Sequence, residues 1–238
     1  MVHTPVSTGN PLFSPTIQYS SNWAGHIIPQ AAEGNANFYE SVAYWTQPAV
    51  SGDPHYNNYQ SAPDASFWTG IGVNQLVQAG ADSIATSTPT YRFWTEDYPL
   101  GTVWEGPAIH PGDQAFVAVT YSGPLANDSG GQTYFWLEDE TTAQYEAFMN
   151  STPYPGWRAA NFINERLGGY YFPNFNSSIF SGCGAGDNDQ DFSLLLTSNN
   201  DRMYMTNDGS SSGTILSDPG AVNNSTNGFT DYWRNKGP

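Results

Sequence analysis

The sequence predicts an all-β protein, either a sandwich or a barrel. Short segments rich in β-branched and aromatic residues recur between turn signals along the whole chain, which is the pattern of strands joined by turns. The 24 Gly and 17 Pro are spread over all 238 residues, with no linker-like block that would separate two halves. We therefore expect residues 1–238 to form a single β-sandwich or barrel domain.

The segments with strand composition are Phe38–Trp45, Ser66–Val73, Thr90–Trp94, Gln114–Tyr121, Thr133–Leu137, Gly169–Phe172 and Phe192–Thr197. Alternation of apolar and polar residues is clearest in 114–121, which follows a turn signal at His110–Asp113. Trp157–Leu167 is the one segment with a fair helical composition. Residues 1–18 are expected to be an N-terminal extension. Residues 207–238 are expected to be a loop-rich C-terminal segment because Ser, Gly and Asn fill its first two thirds.

The charge balance excludes several classes of partner. Lys and Arg number 6 against 22 Asp and Glu, which gives a net charge of −16 at pH 7. Nucleic acid and anionic membranes both require a basic surface, so neither is expected as a partner. The single cysteine, Cys183, excludes an internal disulfide and a Cys-based zinc cluster. Apolar runs such as Leu194–Leu196 are far shorter than the roughly 18 residues of a membrane-spanning helix.

The low content of charged residues bears on the working pH. Charged residues make up 12% of the chain, about half of the roughly 25% that is typical of soluble domains. Acid unfolds proteins chiefly by protonating carboxylates that are stabilised in the native state, and a chain with few cations has few such carboxylates. We therefore expect the protein to work in acid. An acidic, soluble surface without adaptation to pH explains the same composition, and composition alone leaves both interpretations open.

Familiar catalytic and metal-binding motifs match only in part. Gly209–Gly213 has the spacing of a serine-hydrolase elbow, but the last histidine, His110, precedes it. Asp128–Gly130 resembles half of an aspartic-protease dyad and has no second copy. Asp187–Asp191 has the oxygen spacing of a calcium loop without its glycine, and Ser198 stands in place of its closing Glu. We therefore expect no metal and no cofactor.

Two acidic clusters lie beside aromatic residues. Glu96-Asp97 sits among aromatic side chains, and Glu138–Glu140 follows Tyr134–Trp136. Carboxylates beside aromatic platforms are what a sandwich-type glycoside hydrolase uses, one as acid and one as nucleophile or base. A non-catalytic carbohydrate-binding module would use the aromatic platforms alone. Both interpretations stay open on the residues themselves.

Eight sequence blocks, taken in order, resemble one family over about residues 20–175. They are Ser20–Gly25, Val42–Pro48, Phe67–Gly72, Leu76–Gly80, Trp94–Pro99, Pro111–Asp113, Ala160–Glu165 and Pro173–Phe175. This succession resembles the glutamic peptidases, also called eqolisins, of the bacterial type. The resemblance implies a concanavalin-like jelly roll of two large antiparallel sheets, one bent to form a substrate cleft. It also implies an acid-active endopeptidase that cleaves protein or peptide substrates with a Gln/Glu dyad and needs no cofactor.

The resemblance places the catalytic dyad on Gln78 and Glu165. In this assignment Glu165 takes a proton from the attacking water and returns it to the leaving amine, and Gln78 stabilises the tetrahedral oxyanion. With an ordinary pKa near 4.3, about 5% of Glu165 would be ionised at pH 3. The other matched positions, expected to bind substrate, are Trp68, Asp82, Trp94, Glu96 and Tyr98.

Three positions depart from the family pattern. Asn161 replaces the first glutamate of the Glu165 block, and Gly72 replaces an aspartate. Arg92 stands where an aspartate is common, and we expect it to form an ion pair with Glu96. The dyad is intact, so these departures affect subsite details and the pH optimum. Residues 1–5 have no leader features, which fits either a cytosolic protein or the mature form of a secreted one, and we expect a secreted monomer.

Overall fold

The computed structural model describes residues 16–30, 37–73, 75–123, 131–152, 159–167, 170–186, 194–195 and 200–237. Within these ranges lie sixteen β-strands and a short 3-10 helix, Tyr59–Ser61. The strands are β1 Ile17–Ser20, β2 Trp23–Pro29, β3 Glu40–Thr46, β4 Asp64–Gly72, β5 Leu76–Ile84, β6 Thr90–Tyr98, β7 Thr102–Trp104, β8 Gln114–Ser122, β9 Gly131–Asp139, β10 Gln144–Thr152, β11 Ala159–Arg166, β12 Ser177–Gly186, β13 Leu194–Leu195, β14 Asp201–Thr206, β15 Ile215–Pro219 and β16 Phe229–Trp233.

Fourteen of these strands form one hydrogen-bonded succession. Its order is β10-β9-β8-β3-β12-β16-β15-β14-β2-β11-β4-β5-β6-β7, with β1 beside β14 and β13 beside β12. The pairings are antiparallel except that β1 runs parallel to β14. The succession folds over so that β3, β8 and β9 of one layer pack against β4 and β5 of the other. The predicted sandwich of antiparallel sheets is confirmed. The described residues include no helix long and apolar enough to cross a membrane.

The core between the two layers is built mainly from aromatic rings. Phe67 contacts Phe175 at a centroid distance of 5.3 Å, and Phe180 stacks on Phe229 at 4.8 Å. Trp45 is fully buried and packs against the same Phe180. Rings of this size each bury 150–250 Å² of surface, so a small number of them covers the inner faces of both sheets.

The helix predicted over residues 157–167 is wrong. Ala159–Arg166 is strand β11, which pairs with β2 on one side and β4 on the other. Residues Phe162 and Asn164 point to one face of the sheet, whereas Ile163 and Glu165 point to the other, as the two-residue period of a strand requires. Hydrogen bonds to two neighbouring strands outweigh the weak helical propensity of the segment. This correction places Glu165 on a central strand.

Two segments that the sequence predicts to be irregular contain strands. The segment 207–238, expected to be loop-rich, contributes β15 and β16 to the middle of the strand succession. Residues 17–18, at the end of the expected N-terminal extension, belong to β1. Of the predicted strand Gly169–Phe172, the described residues 170–172 are not in a strand. Of Phe192–Thr197, the described residues are 194–195, which form β13.

Candidate active site

The register of the sheet places Glu165 and Gln78 on the same face. One row across the strands reads Trp23, Glu165, Ser66, Asp82 and Arg92. Residues paired across antiparallel strands point to the same side of a sheet, so these five side chains share one face.

The row four residues along the same strands carries the second member of the predicted dyad. It reads Asn161, Gly70, Gln78, Glu96 and Thr102. Because side chains alternate with a period of two, an offset of four returns to the same face. The face that carries Glu165 therefore also carries Gln78.

Two glycines on this face leave space for the side chains of neighbouring strands. A Cβ atom on Gly70 would lie 2.7 Å from the Cβ of Gln78, and one on Gly80 would lie 2.5 Å from the Cβ of Trp68. Both distances are shorter than any normal contact between carbon atoms, so only glycine fits at these two positions. The side chains of Gln78 and Trp68 occupy the space above the glycines, beside the cleft.

A cleft of about 540 Å³ opens on this face. It is lined by Asn22, Trp23, Val73, Leu76, Gln78, Asp82, Trp94, Glu96, Tyr98, Thr102, Trp104, Glu165 and Leu167. Six of the seven residues predicted from the sequence line it, and the seventh, Trp68, is fully buried and touches Glu165. Sequence reasoning missed Asn22, Trp23 and Trp104. The first two lie inside the block Ser20–Gly25, which marked the family resemblance without indicating a role for either residue.

Glu165 is held by two hydrogen-bond donors and kept away from bulk water. Its Oε1 accepts from Asn22 Nδ2 at 2.9 Å, and its Oε2 accepts from the indole Nε1 of Trp68 at 3.0 Å. The residue keeps a partly exposed edge towards the cleft. Desolvation by the surrounding protein raises the pKa of Glu165 to about 7, although the side chains of Trp23, Asn22 and Trp68 act in the opposite direction. In acid the carboxyl group is therefore protonated.

Gln78 is oriented by a carboxylate neighbour. Its Nε2 donates to Glu96 Oε2 at 2.5 Å, and Glu96 also accepts from Thr102 Oγ1 at 3.3 Å. The amide nitrogen is the donor end of this side chain and Glu96 Oε2 is the acceptor, so the nitrogen end of Gln78 faces Glu96. The other end, Oε1, is buried and has no hydrogen-bond partner among the described residues. Glu96, predicted to bind substrate, thus contacts Gln78 directly.

A pair of buried carboxyl groups, Asp64 and Asp82, lies on the same face. Asp82 Oδ1 accepts from the indole Nε1 of Trp94 at 2.7 Å. Burial raises the pKa of Asp82 to about 7, and the hydrogen bonds from Ser66, Trp94 and Asp64 oppose this effect. Burial raises the pKa of Asp64 well above its ordinary value, and the charge of Asp82 adds to the shift. Asp64 lies outside every recognised block, so no sequence signal pointed to it.

The predicted ion pair between Arg92 and Glu96 is wrong. Arg92 stands opposite Asp82 in the sheet, whereas Glu96 lies four residues farther along the same strand, about 13 Å away at 3.3 Å per residue. The guanidinium carbon of Arg92 instead lies 4.4 Å from the ring centre of Tyr59 and 4.7 Å from that of Trp104. Arg92 is therefore held by aromatic rings and not by a carboxylate.

The acidic clusters proposed for sugar hydrolysis do not meet. Glu96 lies on β6 in the cleft, whereas Glu138 lies on β9 in the other layer and accepts from Trp136 Nε1 at 2.8 Å. Hydrolysis of a glycosidic bond needs two carboxyl groups within about 10 Å on either side of one substrate. No three His, Cys, Asp or Glu side chains converge as a metal site in the part of the chain that the structure describes.

Comparison with known proteins identifies the family. A family model described as the peptidase A4 family matches residues 21–226. The chain belongs to the peptidase A4 family. This family consists of glutamic peptidases, so the enzyme class expected from the sequence blocks, a hydrolase of peptide bonds, is confirmed. A comparison with curated proteins gives no match.

The peptidase A4 fold is shared with solved structures. Scytalido-glutamic peptidase, crystallised with a transition state analog inhibitor, has a TM-score of 0.68 and 19% sequence identity, and the match covers 91% of this chain and 100% of that chain. SCP-B, an eqolisin in complex with the tripeptide Ala-Ile-His, has a TM-score of 0.65 and 19% sequence identity, and the match covers 91% of this chain and 100% of that chain. Aspergilloglutamic peptidase from Aspergillus niger has a TM-score of 0.52 and 21% sequence identity, and the match covers 72% of this chain and 99% of that chain. At these identities the likeness establishes the fold.

Proposed function

We propose that this A4 peptidase is an acid-active endopeptidase whose catalytic residues are Glu165 and Gln78. The observation that carries the proposal is that the two side chains line one cleft although they lie on different strands, β11 and β5. One is an ionisable acid, and the other is an amide that does not titrate. Such a pair offers proton transfer and charge stabilisation without the repulsion between two carboxylates.

The raised pKa of Glu165 decides which form of the side chain reacts. With a pKa of about 7, roughly one molecule in ten thousand would carry ionised Glu165 at pH 3. A mechanism that required this form would add about 5 kcal/mol to the barrier. The ionised fraction of about 5% at pH 3, which an ordinary pKa of Glu165 would give, therefore does not apply. In acid the neutral carboxylic acid is the reactive form.

A neutral carboxyl group has one oxygen that accepts a proton and one that donates a proton. As water attacks the scissile carbonyl carbon, one oxygen of Glu165 takes a proton from the water. The other oxygen gives its proton to the carbonyl oxygen of the substrate, and a tetrahedral diol forms. In the second step Glu165 protonates the leaving nitrogen and receives a proton from one hydroxyl group as the C–N bond breaks. The products are a carboxylic acid and an amine, and Glu165 is again neutral.

Gln78 acts on the oxygen that develops negative charge. Its Nε2 carries two hydrogens, and Glu96 accepts one of them. The second is available to the carbonyl oxygen of the substrate, and a donor placed in this way contributes roughly 3–4 kcal/mol to the stabilisation of the transition state.

The cleft is suited to an unfolded or loosely folded peptide chain. It is open and lined by bulky apolar side chains, including Leu76, Trp94 and the half-exposed Tyr98. These side chains favour bulky residues in the substrate. The low content of charged residues and the net charge of −16 support a secreted monomer that works in an acid medium.

Digestion of casein between pH 2 and pH 8, followed by mass spectrometry of the products, tests this function. We expect internal cleavage in acid that declines as the pH rises through about 7, where neutral Glu165 is lost. Chelators and statine-type inhibitors of aspartic proteases should have no effect. Absence of internal cleavage at every pH would overturn the proposal, and release of reducing sugar from glucans would favour a glycoside hydrolase instead.

A further inference from the structure

We propose that Arg92 forms a subsite for an acidic residue of the peptide substrate, with its guanidinium group binding the carboxylate. The inference rests on the proposed endopeptidase function and adds a substrate preference to it.

Arg92 lies at one edge of the face that forms the cleft. It lies on strand β6 and is the last residue of the row that contains Trp23, Glu165, Ser66 and Asp82. Trp94 and Trp104, which both line the cleft, are its near neighbours: Trp94 is two residues along β6, and the guanidinium group contacts Trp104. A peptide in the cleft that extends past Trp94 towards this edge comes within reach of Arg92.

Two aromatic rings fix the guanidinium group. Its carbon lies 4.4 Å from the centre of the Tyr59 ring and 4.7 Å from that of Trp104. The two rings lie 5.9 Å apart with an interplanar angle of 79°, so they form a corner around the cation. Attraction between a cation and the ring faces holds the group without using its N–H donors.

The N–H donors of Arg92 have no hydrogen-bond or ion-pair partner among the described residues. The other arginines that the structure describes differ in this respect. Arg202 and Arg234 both pair with Asp218, and Arg166 donates to the backbone oxygen of Ser21. A guanidinium group that is held in place with unused donors is suited to bind a carboxylate with two parallel hydrogen bonds.

The nearby carboxyl group of Asp82 does not neutralise this cation in acid. Asp82 Oδ1 already accepts the indole N–H of Trp94, and burial raises the pKa of Asp82 to about 7. Below that pH Arg92 faces a largely uncharged carboxyl group. A glutamate or aspartate of the substrate, with an ordinary pKa near 4, is ionised between pH 5 and pH 6 and supplies the missing negative charge.

Binding of paired peptides to the Glu165→Gln variant tests the subsite without interference from cleavage. Octapeptides with Glu at each position in turn, and their Gln counterparts, are titrated at pH 6 by calorimetry. We expect a Glu peptide to bind roughly tenfold more tightly than its Gln counterpart at one position. Adding Arg92→Met should reduce this ratio to less than twofold, Arg92→Lys should retain part of it, and Arg92→Asp should shift the preference to Lys.

The matched control is Arg234→Met, which removes an arginine that also lies over an aromatic ring, that of Tyr232, but has a protein carboxylate partner. It should leave the ratio unchanged. The proposal is overturned if Glu and Gln peptides bind equally, if the ratio persists in Arg92→Met and Arg92→Asp, or if Arg234→Met abolishes it. A Glu preference in a protein that never cleaves casein would support the subsite and contradict the endopeptidase function. Cleavage without a Glu preference would do the reverse.

Discussion

Two tryptophan–glutamate hydrogen bonds in the described part of the chain differ in their surroundings. In the cleft, Trp68 Nε1 donates to Glu165 Oε2 at 3.0 Å across two strands. In the other layer, Trp136 Nε1 donates to Glu138 Oε2 at 2.8 Å between residues two apart on one strand. Trp68 is fully buried, whereas Trp136 is 36% exposed. The same pair of side chains therefore occurs once inside the protein and once at its surface.

The surroundings of the two pairs determine their chemistry. Around Glu165 the sheet excludes water, and the resulting desolvation raises the pKa of this carboxyl group to about 7. Around Trp136, the ring of Tyr145 stacks at 4.5 Å and leaves both rings open to solvent. Removal of water is the main cause of the raised pKa in the cleft.

The largest expected difference between the two pairs is in catalysis. Glu165→Gln removes the group that we propose transfers the proton, and we expect kcat/KM for a peptide substrate to fall by roughly 10³–10⁴. Glu138→Gln makes the same chemical change in the surface pair and should leave kcat/KM within twofold. Initial rates on a fluorogenic peptide at pH 4 measure both effects. Equal losses in the two variants would remove the basis of the comparison.

The next largest effect is expected at Gln78, the second residue of the proposed dyad. Gln78→Ala removes the proposed donor to the developing oxyanion, and kcat should fall by roughly 10²–10³ while KM changes little. Gln132→Ala, an exposed position on β9, is the matched control and should leave kcat unchanged. A Gln78→Ala variant with nearly full activity would exclude the assigned role.

Buried carboxyl groups should also make the folded protein more stable in acid. The pKa of Asp82 rises from 3.8 to about 7 on folding, and that of Asp231 from 3.8 to about 6. Groups with a raised folded pKa stabilise the protein fully below their unfolded pKa, and this contribution is lost as the pH rises through the folded pKa. We therefore expect the free energy of unfolding to fall by a few kcal/mol between pH 4.5 and pH 7.5.

Urea denaturation at several pH values measures this effect. Asp82→Asn should reduce the fall, whereas Glu138→Gln at the surface should follow the parent curve. His26 acts in the opposite direction because burial lowers its pKa, and its contribution is lost as the pH falls below 6.5. Stability that increases steadily from pH 4.5 to pH 7.5 would contradict the expected contribution of the buried acids.

The smallest effect comes from the indole donor itself. Trp68→Phe keeps an aromatic ring but removes the hydrogen bond to Glu165, and this bond stabilises the ionised form. The pKa of Glu165 should therefore rise, and the upper limb of the pH–activity profile should move to higher pH by roughly one unit. Trp136→Phe removes the corresponding bond at the surface and should leave the profile in place. A shift to lower pH in Trp68→Phe would show that the bond does not stabilise the ionised carboxylate.

The sequence predicts the fold class well because composition and turn signals are spread along the whole chain. Individual strands are harder to predict where both faces are covered. β5 is buried at all nine positions and rich in small residues, so it lacks the alternation that marks a half-exposed strand. The same holds for β11, where pairing with β2 and β4 overrides the local helical propensity.

The candidate site could be located from the sequence blocks, but its electrostatics could not. The position of Glu165 follows from its motif, whereas its raised pKa depends on burial by strands that come together only in the folded chain. The ion pair predicted for Arg92 was wrong because the sequence does not show what this residue contacts. Its contacts, Tyr59 and Trp104, belong to a short helix and an edge strand that meet only in the folded chain. Long-range contacts of this kind leave no local pattern.

Cys183 has a practical consequence for handling the enzyme. It is the single cysteine of the chain, lies fully buried in the core, and its thiol pKa is raised by that burial. The architecture thus closes without any covalent cross-link. We expect that recombinant protein can be made in a reducing cytosol. The purified protein should keep its peptidase activity in the presence of dithiothreitol and alkylating reagents.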